Sequence, residues 1–397
     1  MADWQIASGY RFGAVACGVR GDNRNRLDLT VIVSERPASA AGVFTQNRVV
    51  AAPVQLTRMR VPTSEALGLV VCAGNANACT GERGMQDAQR MAEVTAAWLD
   101  CRPEQILVCS TGVIGVPLPM SRIEHGIKTA TSNLSDAPDA LKRSAQAILT
   151  TDTRIKVHTR NVTVGGKTVS LTGLAKGAAM IGPNMATMLA FIFTDASVDS
   201  DELTSIARES AASTFNCITV EGHTSTNDTL LIFANGEGPR LTGGELNEFK
   251  RGIRIVCAEL ARHIAADAEG ASHLIRVEVQ GLKTPEDARR VAKTVAESAL
   301  VKTAIFGADP NWGRFVSAAG YAGVDFAEDQ LSCWLDDFLL YKAGVPQPFD
   351  NAELSNHMKE SRELAIKFHF SIGTAGCTFW TSDLTYDYVR LNAEYTT

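Results

Sequence analysis

Lys176-Gly-Ala-Ala-Met-Ile-Gly-Pro-Asn-Met-Ala-Thr187-Met-Leu-Ala-Phe-Ile-Phe-Thr-Asp195 joins a loop broken by Gly177, Gly182 and Pro183 to an uninterrupted apolar run. Glycine tolerates positive φ and proline fixes φ near about −65°, so these residues bend the chain tightly. The run 188–193 has the length and continuous apolarity of a strand covered on both faces. Thr187 stands at the mouth of that strand. A hydroxyl held there can attack the carbonyl carbon just before it. Cutting between Ala186 and Thr187 would leave Thr187 with its own base, the freed α-amine. On this stretch alone, Thr187 reads first as a β-branched residue opening a strand.

Working outward, 27–33, 67–72, 105–109, 230–233, 301–306 and 363–370 read as strands, and 87–98, 201–213 and 249–265 as helices. Thr284-Pro285-Glu286-Asp287 combines a hydroxyl cap, a first-turn proline and early acids, so a helix is predicted from there to about residue 299. The alternation predicts an α/β class. The C-terminal stretch 383–397 is aromatic and strand-like almost to its last residue. Asp309-Pro310-Asn311 reads as a turn and helix entry. No repeat, low-complexity tract or linker interrupts the chain, so the division is placed at the cut, 1–186 and 187–397.

The 397 residues are 45% hydrophobic and 21% charged, ordinary values for a soluble globular protein of two or three units. A net charge of −6 argues against a nucleic-acid or anionic-membrane partner. Nine cysteines, an odd number with no Cys-x-x-Cys pair, indicate neither a disulfide framework nor a zinc site, and read as reduced cytosolic thiols. The start Met-Ala-Asp-Trp-Gln-Ile lacks the features of a signal peptide, and no apolar run approaches the roughly 18 residues of a membrane span. A soluble cytoplasmic protein is expected. The seven histidines show no metal-ligand spacing, and the glycines of 13–21 form neither a phosphate loop nor a dinucleotide fingerprint, so no metal or nucleotide cofactor is expected.

Acyl transfer through a threonine ester needs a nucleophile, a base, an oxyanion site and orienting groups. A free α-amine, with an ordinary pKa of about 7.7–8.0, suits the base. Cys109-Ser110-Thr111-Gly112-Val113-Ile114-Gly115 is a strand end followed by a small-residue turn, whose N–H groups could face a developing negative charge. The same residues also compose a plain β-turn. Lys176 is a candidate for holding a substrate carboxylate or lowering the amine pKa, and equally reads as a solvated loop charge. Glu269 reads on its own as a loop carboxylate.

The stretch around Thr187 resembles the self-cleavage region of the ornithine acetyltransferase family, whose members read close to Lys-Gly-Ser-Gly-Met-Ile-Ala-Pro-Asn-Met-Ala-Thr-Met-Leu-Ala-Phe; this chain departs at Ala178, Ala179 and Gly182. Further blocks resemble the family at 74–79, 110–115, 225–229, 267–273 and 306–314, so the similarity runs from about Gly9 to Thr397. The resemblance implies an α/β fold of layered sheets and helices, not a Rossmann fold. It implies Thr187 as nucleophile, Thr111 and Gly112 as the oxyanion hole, and Thr150, Lys176, Thr187, Glu269, Asn392 and Thr397 as substrate contacts. A one-residue shift would move the Thr150 role to Thr151. Glu269 would pair with the ammonium end of an ornithine-like substrate. The implied reaction carries an acetyl group from N2-acetylornithine to glutamate by a ping-pong route, with acetyl-CoA as a possible additional donor and no other cofactor. The implied assembly is α2β2 or larger.

His273 stands where the family carries lysine, and Glu221 and His223 where it carries two other acids, which leaves the acceptor amine open. The alternatives are an N-terminal-nucleophile amidase or aminopeptidase, a specialised acetyltransferase paralogue with another amine substrate, and an uncleaved binding subunit. Intact Thr187, Lys176, Thr111 and Gly112 argue against the last.

Overall fold

Two sheets, one of eight strands and one of six, carry the residues described by this computed structural model, which are 4–21, 26–182 and 188–394. The first comprises β1 (Tyr10–Val15), β2 (Leu29–Phe44), β3 (Thr63–Asn75), β4 (Ile106–Val113), β5 (Lys156–Val164), β6 (Lys167–Lys176), β7 (Leu189–Thr194) and β8 (Thr229–Ala234). Its order is β4-β3-β2-β8-β7-β6-β5, with β1 paired to β2. The sheet is mixed: β3 runs parallel to β4 and β7 to β8, while β6 and β7 are antiparallel. A doubly wound dinucleotide fold would be mostly parallel; this is a layered α/β fold of another kind. The segments 1–186 and 187–397 share the sheet, because β7 and β8 lie between β2 and β6.

Strand β7 explains why the apolar run is continuous. All six of its residues are buried. Ala190 and Ile192 enter one core, and Leu189, Phe191 and Phe193 enter the opposite one. The Phe193 ring lies 5.2 Å from Phe233, 5.1 Å from Tyr10 and 5.6 Å from Phe12. Burying one such ring contributes about 1.5–3 kcal/mol. Helices α1 (Ala52–Arg60), α2 (Gly81–Leu99) and α3 (Met120–Ser132) cover β2 to β4, and α4 (Pro138–Ala147) packs against β1. Helices α5 (Ser200–Ser213) and α6 (Gly244–Ala266) share the core of Ala190 and Ile192.

The second sheet has the order β12-β11-β10-β13-β9-β14, from β9 (Leu274–Leu282), β10 (Leu331–Leu335), β11 (Phe338–Lys342), β12 (Val345–Pro346), β13 (Glu363–Phe370) and β14 (Ala375–Ser382). It shares a core with α7 (Pro285–Glu297), α8 (Ala299–Phe306), α9 (Trp312–Gly320) and α10 (Asn351–Glu360). A last helix, α11 (Tyr386–Glu394), leans on the turn after α6. Among the described residues no helix is long and apolar enough to cross a membrane.

Three sequence expectations fail. The turn expected at Ser110-Thr111-Gly112 lies within β4, because the pairing with β3 carries the strand on to Val113. The run 301–306 is not a strand but lies in α8, where the Ser298 hydroxyl accepts from Val301 N–H and starts a helix directly after α7. A short apolar run cannot by itself distinguish a strand from a buried helix. The C-terminal stretch is likewise helical as far as it is described. Thr385 accepts the Tyr388 N–H through its hydroxyl at 3.0 Å, an N-cap that overrides the strand-like alternation after it. The Asp309-Pro310-Asn311 turn enters α9 as expected, and Thr284 caps α7 by accepting from Asp287 N–H.

Candidate active site

Strand β4 ends at a cleft because Gly112 cannot carry a side chain. A Cβ there would lie 2.2 Å from the Gly74 carbonyl carbon, and its φ of +132° is one that other residues rarely adopt. The β3 and β4 ends therefore approach closely, and Thr111, 3% exposed, is held at the cleft wall. Asn227 fastens the floor: its side-chain amide donates to Ala76 O at 2.7 Å and Ser110 O at 2.8 Å. The Ser225-Thr226-Asn227 stretch, without a role on sequence grounds, thus lines the cleft and ties two strand ends together.

Lys176 ends β6 and is 2% exposed, so the reading as a solvated loop charge is overturned. Its ammonium donates to Thr111 Oγ1 at 3.2 Å. With its oxygen accepting from a cation, the Thr111 hydroxyl keeps its own proton for an acceptor in the cleft. Burial pulls the Lys176 pKa below the ordinary lysine value, against the opposing pull of Asp152. Thr150 and Thr151 both line the cleft, so the geometry does not choose between them. Their loop is fixed by Asp152, which accepts from Thr150 N–H at 3.1 Å and from Gly177 N–H at 2.6 Å. Burial raises the Asp152 carboxyl, but Lys156 and Lys176 outweigh it and leave the group well below the usual carboxylate range.

Glu269 closes another side. Its N–H donates to Ala178 O at 3.0 Å, and its Oε2 accepts from Asn392 Nδ2 at 3.2 Å. Its Oε1 is buried without a partner among the described residues. Helix α11 delivers Asn392 because Gly270 lets it approach: a Cβ there would lie 2.5 Å from Tyr388 N. The cleft, of about 110 Å³, thus gathers Thr111, Gly112, Thr150, Lys176, Glu269 and Asn392 from five separate stretches of chain. Thr187, Ala186 and Thr397 lie outside the described residues.

His273 and His223 do not line the cleft. The His273 ring bonds Asp383 Oδ2 at 2.8 Å and Met358 O at 3.1 Å, so its replacement of lysine concerns the packing of β9 rather than the cleft wall. Arg20 does line the cleft and was missed, because nothing in its local pattern marks it. So was Asp228, fully buried, which accepts from Met188 N–H at 3.0 Å and whose carboxyl is pushed well up by burial.

A small cleft holding a buried ammonium, a half-satisfied carboxylate and hydroxyl and backbone donors at a glycine-tight strand end can bind a zwitterion and stabilise an oxyanion. The family model described as the ArgJ family matches residues 11–397. The arginine biosynthesis bifunctional protein ArgJ of Symbiobacterium thermophilum is 44% identical over 394 residues, covering 98% of this chain and 97% of that protein. Its namesake from Caldanaerobacter subterraneus subsp. tengcongensis is 45% identical over 394 residues, with 97% of each chain covered. The crystal structure of the arginine biosynthesis bifunctional protein ArgJ from Bacillus halodurans matches with a TM-score of 0.50 and 39% identity, covering 52% of this chain and 98% of that one. Site blocks, fold and whole-length similarity coincide, and the chain belongs to the ArgJ family.

Proposed function

We propose that this chain, an acyltransferase of arginine biosynthesis, moves the acetyl group of N2-acetylornithine to L-glutamate through an acetyl ester on Thr187. The observation that carries the reading is the pairing of buried Lys176 with Glu269 across the cleft that also holds Thr111 and Gly112. Opposite charges suit the two ends of an amino acid, and the oxyanion donors suit its acetyl group.

The enzyme first has to free its nucleophile. Thr187 Oγ adds to the Ala186 carbonyl carbon, the C–N bond breaks, and the hydroxyl proton passes to the departing amine. Water then hydrolyses the ester, leaving the Ala186 carboxylate and the Thr187 α-amine. The Bacillus halodurans chain, matched over 98% of its length by 52% of this one, supports a two-piece polypeptide, because the curated relatives match over their whole length. In the first half-reaction Thr187 Oγ attacks the acetyl carbonyl while the α-amine takes its proton. The Thr111 hydroxyl and Gly112 N–H hold the oxyanion. Ornithine leaves with the proton returned; the amine of glutamate then attacks the ester carbonyl, the acyl C–Oγ bond breaks to give N-acetylglutamate, and the proton lost by the amine passes through the Thr187 α-amine to Thr187 Oγ. Acetyl-CoA is proposed as an additional acetyl donor, α2β2 as the smallest assembly, and the cytoplasm as the location.

The test mixes enzyme and acetylornithine with and without glutamate and counts the ornithine released. A single burst that resumes on adding glutamate is expected. Continued turnover at the same rate without an acceptor would mean a hydrolase. Intact mass supplies the second measurement: wild type is expected as two pieces divided at Ala186 and Thr187, and Thr187→Ala as one inactive chain.

A further inference from the structure

Among the described residues, the charged lining of the cleft is two cations and one acid: Arg20, Lys176 and Glu269. On the transfer reading, Lys176 and Glu269 match the carboxylate and the ammonium of acetylornithine one for one. Glutamate brings two carboxylates. With Lys176 and Glu269 alone, the second carboxylate would face Glu269 without a cation, and like charges confined in so small a cleft repel. Arg20 supplies a further positive charge from a third stretch of chain, between β1 and β2.

The loop that carries Arg20 holds it in place. Cys17, Gly18 and Val19 donate their N–H groups to the Asp28 carboxylate at 2.7, 2.9 and 2.7 Å, and Asp28 is itself buried. Gly21 N–H donates to Gly18 O at 3.3 Å, closing a turn in which Arg20 is the third residue. Arg122 Nη1 donates to the same carbonyl at 3.0 Å. The side chain is placed as well. A Cβ on Gly74 would lie 3.1 Å from Arg20 Cβ, 3.5 Å from its Cγ and 3.6 Å from its Cδ, so the stem runs along a position that carries no side chain. Gly74 is the register partner of Gly112. The half-buried Arg20 thus enters the cleft beside the proposed oxyanion donor. A solvated surface arginine would need neither the tethered turn nor the bare glycine.

We infer that Arg20 selects glutamate as the acceptor by holding its side-chain carboxylate. The inference rests on the transfer reading above. A guanidinium presents paired N–H donors that match the two oxygens of a carboxylate. Glutamine has the same length and lacks the charge, so it reaches the same place without the ion pair.

The experiment charges the enzyme with acetylornithine, adds glutamate or glutamine, and measures kcat/KM for each acceptor in wild type, R20M and R20Q. Wild type should prefer glutamate by about 10- to 100-fold, the range of a charge-assisted pair. In R20M and R20Q that ratio should fall to within about 3-fold of one, chiefly through a higher KM for glutamate. The loss for glutamate should exceed any loss in ornithine release from acetylornithine by at least about 10-fold. A merely structural role for Arg20 would lower both half-reactions and both acceptors together, and that result would overturn the proposal. So would variants that prefer glutamate as strongly as wild type. Should R20M fail to fold by circular dichroism, R20Q decides by the same ratio. A wild type that turns over acetylornithine without any acceptor, or that does not respond to glutamate, would defeat the transfer reading and the proposal with it. A wild type that responds to glutamate beside variants of unchanged preference would defeat the Arg20 proposal alone.

Discussion

Lys156 and Lys176 sit on neighbouring strands, with Lys156 paired in register to Ala175, and they are equally hidden at 1% and 2% exposure. Their surroundings are opposite. Lys156 donates to Asp152 Oδ1 and to Asp267 Oδ2, each at 2.6 Å, and the two carboxylates balance its charge within the protein. Lys176 donates to the neutral Thr111 hydroxyl at the wall of a cleft. A buried charge satisfied by the chain holds the fold together. One left to a hydroxyl is held in place for something that arrives later.

Replacing Lys156 should break the fold side of this contrast and give the largest effect. Lys156→Met leaves Asp152 and Asp267 buried without their cation, and a loss of about 3–5 kcal/mol in urea unfolding is expected. Lys156 helps hold Asp152 below the usual carboxylate range. A depressed carboxyl contributes stability that is present above its unfolded pKa of about 3.9 and is lost as pH falls through its folded value. The gap between wild type and the variant should therefore close under acid conditions. A deficit below about 1 kcal/mol at neutral pH would mean that the two lysines do not differ in kind.

Lys176→Met should act mainly on activity, lowering kcat/KM by about 100-fold, or roughly 2.7 kcal/mol, with a much smaller stability change than Lys156→Met, since Lys156 still donates to Asp152. Burial depresses the Lys176 pKa, so the penalty of keeping it charged is full below its folded value. That penalty fades as pH rises toward the ordinary lysine value of about 10.4. Any stability advantage of the variant should shrink over the same range. A strongly destabilised Lys176→Met would place this residue with Lys156.

The smallest effect sharpens the cleft side alone. Glu269→Gln keeps the bond to Asn392 but removes the charge, and should raise the KM for acetylornithine about 10-fold, or roughly 1.4 kcal/mol. Stability should stay within about 0.5 kcal/mol of wild type. Steady-state kinetics on each half-reaction are the check. An equal loss for glutamate would show that Glu269 does not distinguish the two amino acids.

Much of this was legible in the sequence, where local chemistry decides local structure. The run after Thr187 announces a strand buried on both faces and Thr284-Pro285 announces a capped helix, whereas the turn expected at Ser110-Thr111-Gly112 lies inside β4, which runs on to Val113. The errors fall where local signals conflict. In 301–306 an apolar run fits either period, and in α11 an alternating pattern hides behind the Thr385 cap. Family resemblance supplied the membership of the cleft, and Thr111, Lys176, Glu269 and Asn392 do meet there.

The sequence alone therefore determined the α/β class, the strand at 189–194 and the residue types able to perform acyl transfer, because propensity, periodicity and turn chemistry act over a few neighbouring residues. Only the tertiary structure decided that Lys176 is buried and Lys156 neutralised, that Asn227 ties two strand ends, and that Asp228 holds Met188. Burial and charge compensation depend on which distant segments pack together. Lys156 and Asp267 are 111 residues apart, and nothing in the neighbourhood of either one marks the pair.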